Sequence, residues 1–218
     1  MTSTILISDD HPLFRQALRS AVAPIFTDSR ILEVETLAAT LQAIEENDVA
    51  LLLLDLRMSD SQGLAGLMII KGDHPQIPVI VVSASEGAET VRAAIQAGAS
   101  GYISKSSSPD EIRASIEQVK NGETAVPANA LTEISESEKR QLEAIENITL
   151  LTPTQLKVLV KMTDGLLNKQ IAWDMDISEA TVKSHVTAIF RKLRVRTRTQ
   201  AVVLAKQLDF VLSDSADT

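Results

Sequence analysis

Five short apolar runs punctuate the first 125 residues, each followed by a longer amphipathic stretch, and that alternation limits the fold more than any other feature of the chain. The runs cover residues 4–8, 31–34, 51–54, 79–82 and 101–103. Helical patterns follow them over 12–22, 37–46, 64–71, 88–97 and 109–121. Strands alternating with helices build βα units, whose strands run parallel and whose helices cover both faces of one sheet. The expected fold here is an α/β doubly wound, five-stranded parallel sheet. Local signals agree with it. Ser108-Pro109-Asp110-Glu111 supplies an N-cap serine, a proline at the first helical position and a glutamate three residues on. Gly98 stands where the helix before it needs a left-handed stop.

The strand signals vanish after residue 121. Pro127 and Asn129 have loop character, and residues 131–148 are charged, with Leu131, Ile134, Leu142 and Ile145 at roughly helical spacing. Beyond them helices follow one another over 153–164, 169–174, 179–193 and 200–207. The expected organisation is a first domain over 1–123, a linker with a short helix over 124–148, and an all-α four-helix domain with a helix-turn-helix over 149–218. Charge divides the same way. The formal net charge of -8 is -8 over residues 1–125 (9 basic, 17 acidic), -3 over 126–148 (2 and 5) and +3 over 149–218 (10 and 7). Residues 181–206 hold seven basic side chains and no acid. An anionic partner is therefore expected for the second domain alone.

Ligands of a parallel sheet bind outside the carboxyl ends of its strands. Asp9 and Asp10 end the first strand, Asp55 the third and Ser83 the fourth, and Lys105 follows the fifth. All converge on one rim. Three carboxylates so close repel one another unless a cation compensates. Mg²⁺ suits them, because it binds through one or two carboxylates and keeps waters that a phosphate can replace. Lys105 adds a mobile positive charge and Ser83 a hydroxyl for the same phosphoryl oxygens.

With these residues, the segment over about 4–122 resembles the receiver domain of two-component systems, a flavodoxin-like fold. The resemblance implies that Asp55 accepts a phosphoryl group from a sensor histidine kinase. It also implies that Asp10 and Asp55 bind Mg²⁺ directly, Asp9 mainly through water, and that the Arg57 carbonyl completes the site. Ser83 and Tyr102 stand at the positions of the family's switch residues. Asp55-Leu56-Arg57-Met58 follows the family pattern, but Ser59 replaces the usual proline, which is expected to loosen the loop without removing a ligand.

In the second domain, Ser178 suits an N-cap for residues 179–193. Ile171, Ala172, Ile177, Val182, Val186, Ile189 and Leu193 take the inward positions. Lys183, Ser184, Thr187, Arg191 and Lys192 take the outward ones, with Thr181 and His185 near the backbone side. Such a face can enter a major groove. LTPTQLKVL, GLLNKQIA, ISEATVKSHVTAIFRKL and RTRTQAV make residues 151–205 similar to the LuxR/FixJ-type DNA-binding domain. That resemblance implies that 179–193 is the recognition helix, with Lys169 as a further DNA contact. It also implies that the last helix, through Gln200, Val203, Leu204 and Gln207, joins two copies. Trp173-Asp174 stands where relatives carry basic residues. Trp173 is expected to cover the edge of the core, the alternatives being that the ring and the acid weaken backbone contacts or serve a protein interface.

Together the halves resemble a NarL/FixJ-type response regulator: a transcription factor of the cytoplasm that forms homodimers on double-stranded promoter DNA when phosphorylated. Two other classes fit the residues less well. An aspartyl phosphatase would need a general acid and a substrate cleft that the sequence does not offer, so no enzyme is expected beyond slow self-dephosphorylation. An unphosphorylated interaction module is disfavoured because every pocket residue is present. The longest apolar run, ending at Leu54, is too short to span a bilayer, and no membrane partner is expected. The absence of cysteine excludes disulfides and thiolate metal sites. His11, His74 and His185 show no metal-ligand spacing, and no metal role is expected of them.

Overall fold

The computed structural model describes residues 3–131 and 134–210, the side chains of 62, 129, 131 and 207–210 excepted. Gln207, expected at a dimer contact, lies among those undescribed side chains. The chain forms strands β1 (Thr4–Ser8), β2 (Arg30–Val34), β3 (Val49–Asp55), β4 (Arg57–Met58), β5 (Ser61–Gln62), β6 (Val79–Ser83) and β7 (Gly101–Ser104). Five of them make one parallel sheet in the order β2-β1-β3-β6-β7. β1 and β6 are buried along their whole length and β3 nearly so, which is why they read as continuous apolar runs.

Alternation along the strands sorts their side chains onto two faces. Ile5, Ile7, Leu51, Leu53, Ile80, Val82 and Ile103 pack with residues of α1 (Pro12–Val22) and α5 (Pro109–Lys120). Leu6, Leu52, Leu54, Val79, Val81 and Tyr102 pack beneath α2 (Leu37–Glu46), α3 (Ala65–Asp73) and α4 (Ala88–Gln96). The capping box at Ser108 forms as expected.

The second half is helical: α6 (Glu136–Thr149), α7 (Pro153–Thr163), α8 (Asn168–Asp174), α9 (Glu179–Lys192) and α10 (Arg198–Phe210). α7 opens on the Thr152–Gln155 capping box. α6 is more than the short helix expected. It runs 14 residues from an N-cap at Ser135, and Ala144, Ile145 and Ile148 are buried. Its many charges hide a narrow apolar stripe, and Ile134, which looked like part of that stripe, lies ahead of the helix and is exposed. No helix among the described residues is long and apolar enough to cross a membrane.

The two halves are packed together. The core beneath α3 and α4 continues through Leu156 and Leu159 of α7 into Ile171, Val182 and Ile189. A Cβ on Gly72 of α3 would lie 3.1 Å from Pro153 Cγ, so glycine permits this close approach of α3 and α7. Arg92 of α4 pairs with Glu138 of α6, and Lys157 with Asp73 at 3.3 Å. After α5 the chain runs beside β7, where the Tyr102 amide donates to the Ala125 carbonyl at 2.9 Å.

The loop after β3 is tied down. β4 and β5 form a small antiparallel hairpin with Ser59 and Asp60 at its turn. The Asp60 carboxylate accepts from the amides of Leu37 and Ala38 at the start of α2, at 2.8 and 2.9 Å. The loosening expected from Ser59 is thus offset by an anchor: the Asp60 carboxylate meets the free N–H groups at the start of α2.

Candidate functional site

Asp9, Asp55, Ser83 and Lys105 meet at the carboxyl ends of β1, β3, β6 and β7 because each stands at or just past its strand's last residue. Asp9 is fully buried and Asp55 is 4% exposed, whereas Asp10 is half-buried. Lys105 Nζ lies 2.8 Å from Asp9 Oδ2 and 2.8 Å from Asp55 Oδ2. Its ammonium also sits over the Phe14 ring, 5.2 Å from the centroid. The Arg57 amide donates to Asp55 Oδ1 at 3.1 Å, and the His11 amide to Asp9 Oδ1 at 2.8 Å. Arg15 holds the end of β1 from below, its Nη1 donating to the Asp9 carbonyl at 2.7 Å and its Nη2 to Glu35 at 2.5 Å.

One ammonium does not balance this cluster. Asp9 Oδ2 and Asp10 Oδ1 are buried, and their basic neighbours are Lys105 Nζ, 2.8 Å from Asp9 Oδ2, and the His11 ring, 2.7 Å from Asp10 Oδ1. Burial raises the Asp55 carboxyl above the ordinary aspartate range, and the Asp9 charge adds to the rise. The Lys105 hydrogen bond, the Arg57 amide and the Lys105 charge act against it. Three converging aspartates that offer only oxygen donors, with one ammonium among them, fit a hard divalent cation.

Ser83 and Tyr102 connect the pocket to α4. Ser83 Oγ accepts from the Ser85 amide at 3.2 Å, and the Tyr102 hydroxyl donates to the Ser85 carbonyl at 2.8 Å. The Ser85 hydroxyl lies 3.0 Å from Thr90 Oγ1 in the first turn of α4. Tyr102 is buried, and burial pushes its hydroxyl up to about 12, against the opposing interactions with Ser83 and Ser85.

The pocket also holds a histidine of which no metal role is expected from its spacing. His11 Nδ1 lies within the same group as Asp9, Asp10 and Asp55, all four ligand atoms within 4.8 Å of one another. Its place beside Pro12 reads as a helix start, and only the turn of α1 over the pocket reveals the ring's position.

In the second half, Ser178 caps α9 by accepting from the Thr181 amide at 3.1 Å, and Asp176 takes the left-handed conformation, φ 52°, that ends α8. Val182 and Ile189 are buried, while Thr181, Lys183, Ser184, Thr187 and Arg191 are exposed along α9 and His185 is partly so. Lys169 is exposed on α8. Lys183 Nζ pairs with Glu179 Oε1 at 2.8 Å. Two expectations are corrected. Lys192 turns back, its ammonium donating to the Leu150 carbonyl at 2.9 Å and to Gln155 Oε1 at 2.8 Å, because its long stem reaches the end of α6. Trp173 is 89% exposed and covers no core, since no described element packs over that face of α8. On α10, Val203 is exposed and Leu204 partly buried, whereas Gln200 Oε1 accepts from the amides of Arg196 and Thr197.

Comparison with known proteins agrees with both halves. Residues 5–117 match the model of the response regulator receiver domain, and residues 149–205 that of the bacterial regulatory proteins, luxR family. The glycerol metabolism activator of Pseudomonas putida is 42% identical over 212 residues, covering 94% of this chain and 96% of the relative. The nitrate/nitrite response regulator protein NarP of Escherichia coli is 32% identical over 203 residues, covering 93% and 94%. Among solved structures, RcsB of Salmonella enterica serovar Typhimurium, bound to a promoter in the presence of a phosphomimetic, shares the fold with a TM-score of 0.55. It is 20% identical, with 94% of this chain and 99% of that chain covered.

Proposed function

The chain belongs to the NarL-type response regulators, transcription regulators that join a receiver domain to a LuxR-family helix-turn-helix, and from that premise we propose that phosphorylation of Asp55 controls its binding to promoter DNA. The observation that carries this reading is the Asp55 carboxylate itself: buried, at a strand end, 2.8 Å from the Lys105 ammonium and beside the carboxylates of Asp9 and Asp10.

The donor is a phosphohistidine of a sensor histidine kinase. An Asp55 carboxylate oxygen attacks the phosphorus, the phosphorus–nitrogen bond breaks, and the leaving imidazole takes up a proton as an acyl phosphate forms. Lys105 stays within reach of the transferring oxygens and offsets their charge. The hydroxyl of Ser83 can donate to the same group. Asp10, Asp55 and the Arg57 carbonyl would hold Mg²⁺, with Asp9 acting through water; the ion supplies positive charge to the phosphoryl oxygens. Any turnover in this reading is slow self-dephosphorylation.

Output passes through α9 and α10. Thr181, Lys183, Ser184, His185, Thr187 and Arg191 face the major groove, Lys169 a phosphate, and Val203 with Leu204 a second copy on paired half-sites of double-stranded DNA. The outer face of α9 is exposed while the receiver rests on α6 and α7. Control therefore acts through how α4 holds α6 rather than by covering α9. The site of action is the cytoplasm, and no membrane is involved. Incubation of the full chain with a small phosphodonor and Mg²⁺ tests the reading: the wild type is labelled and Asp55→Asn is not. Persistent labelling of that variant would remove Asp55 from its role.

A further inference from the structure

Trp173 is the only tryptophan of the chain, and its ring is 89% exposed on α8. It lines an open groove with Leu166 and Ile177, which Asp174, Asp176 and Glu179 border. Residues 173–179 hold these three acids and no base, in a half of the chain that is otherwise basic. Asp174 pairs with Lys161 and Glu179 with Lys183, whereas Asp176 pairs with no cation among the described residues. An exposed apolar surface rimmed by charge marks an interaction site. Carboxylates around an indole repel phosphate and suit a cation carried on an apolar stem. The chemistry of this groove thus fits a cationic protein surface rather than DNA.

The same half of the chain carries the complement. Of the seven basic side chains over 181–206, Lys192 and Arg198 turn back onto main-chain carbonyls. Lys183 pairs with Glu179, Arg191 lies on the outer face of α9, and Lys206 sits further along α10. Arg194 and Arg196, in the turn between α9 and α10, are exposed and form no ion pair among the described residues. With Val195 between them, they border a second open groove. The receiver half, at a net charge of -8, offers the acids no such match. We propose that the Trp173 groove of one copy receives the Arg194-Val195-Arg196 turn of a second copy, a guanidinium stacking on the indole and meeting Asp176. Tryptophan and arginine are the side chains that most often dominate a protein interface. The two surfaces differ, so the contact is head-to-tail: a joined pair still offers one groove and one turn to further copies. It is distinct from the contact proposed for α10, in which both copies use the same surface.

Sedimentation velocity and Trp173 emission, read on the full chain over a concentration series at low salt, test the contact. The wild type should form larger species as concentration rises, with the indole emission moving to shorter wavelength over the same range. About 0.3 M NaCl should reverse both. Trp173→Ala and Arg196→Glu should each weaken the association by about tenfold or more. Both side chains are exposed, so neither substitution should alter the thermal melt. Mixed in equal amounts, the two variants should regain association, because Arg196 of one meets Trp173 of the other. The first variant has no tryptophan, so the emission of the mixture reports that one interface. Variants that associate as the wild type does, a mixture that regains nothing, or an emission that ignores concentration would overturn the proposal. Emission that shifts only when duplex DNA is added would assign the groove to nucleic acid instead.

Discussion

Arg92 of α4 and Glu138 of α6 form an ion pair between the receiver and the helix that leads to the DNA-binding half, Nε to Oε1 at 2.5 Å, with side-chain exposures of 14% and 5%. Arg92 Nη1 also donates to the Ala130 carbonyl at 2.9 Å. The first turn of the same α4 touches Ser85 through Thr90, and Ser85 is bonded to Ser83 and Tyr102. A rearrangement around Asp55 that shifts α4 therefore reaches α6 through a single rigid element.

Removing one partner of such a pair leaves a desolvated charge behind. Breaking a buried pair costs about 3–5 kcal/mol, and the retained bond to Ala130 with residual exposure of Arg92 places Glu138→Ala nearer 2 kcal/mol. Denaturant unfolding should show that loss, and X-ray scattering should show a larger radius of gyration as the halves separate. The double exchange Arg92→Glu/Glu138→Arg should recover part of both. Unchanged scattering from Glu138→Ala would mean that the pair does not hold the halves together.

At Asp55 burial outweighs the Lys105 ion pair, so the pH dependence of stability runs opposite to that of an aspartate whose pKa its partner lowers. Unfolded, the carboxyl ionises near its ordinary value of 3.8, whereas in the fold it ionises only at higher pH. Between the two the native state binds more protons, so stability falls as pH rises through that window and stays lower above it. In metal-free buffer at neutral pH, Asp55→Asn should melt several degrees above the wild type. The advantage should shrink as pH drops below the ordinary aspartate range. Mg²⁺ should stabilise the wild type by mass action and the variant far less. A wild type that melts as high as Asp55→Asn at neutral pH would contradict the burial cost.

The pocket was legible because parallel topology gathers strand ends at one rim, so Asp9, Asp55, Ser83 and Lys105 could be placed together from their positions alone. Features that depend on reach or on distant covering were not. Lys192 is outward by helical period, but a long stem carries its ammonium back to Leu150. Trp173 fits the margin of an apolar stripe, and its exposure depends on which elements pass over α8. Arg92 and Glu138 are 46 residues apart, and nothing local to either marks the other. α6 was underestimated because Glu136, Glu138, Glu143 and Glu146 mask the few buried positions that fasten it.

Tyr102 is the chain's single tyrosine, so tyrosinate absorbance reports this switch position alone. An unfolded tyrosine ionises near 10.0, and burial moves Tyr102 to about 12. Between those values the folded state retains a proton that the unfolded state loses, so this contribution to stability is complete below about 10 and is lost as pH rises toward 12. Tyrosinate should appear only with unfolding or close to pH 12. Tyr102→Phe should remove that dependence and cost about 1 kcal/mol through the lost bond to the Ser85 carbonyl. Ionisation near 10 in the folded protein would show that the ring is turned out to solvent.

Arg191 and Lys192 are neighbours in sequence that the structure sends in different directions, which lets DNA binding be separated from stability. Arg191 is exposed on α9, where a phosphate contact would release about one counterion. Arg191→Ala should lower the slope of log affinity against log salt by about 0.9 on any duplex the protein binds. Lys192 is held by Leu150 and Gln155, so Lys192→Ala should leave the salt slope unchanged and lower the unfolding free energy by about 1 kcal/mol. Lys183→Ala, if Lys183 meets a base edge, should cost about 1–3 kcal/mol on the preferred site and little on unrelated sequence. Fluorescence anisotropy over a salt series, paired with thermal melts of the free proteins, distinguishes the three. A salt slope that falls for Lys192→Ala and not for Arg191→Ala would mean that the bound form of α9 repacks its last turn against the DNA.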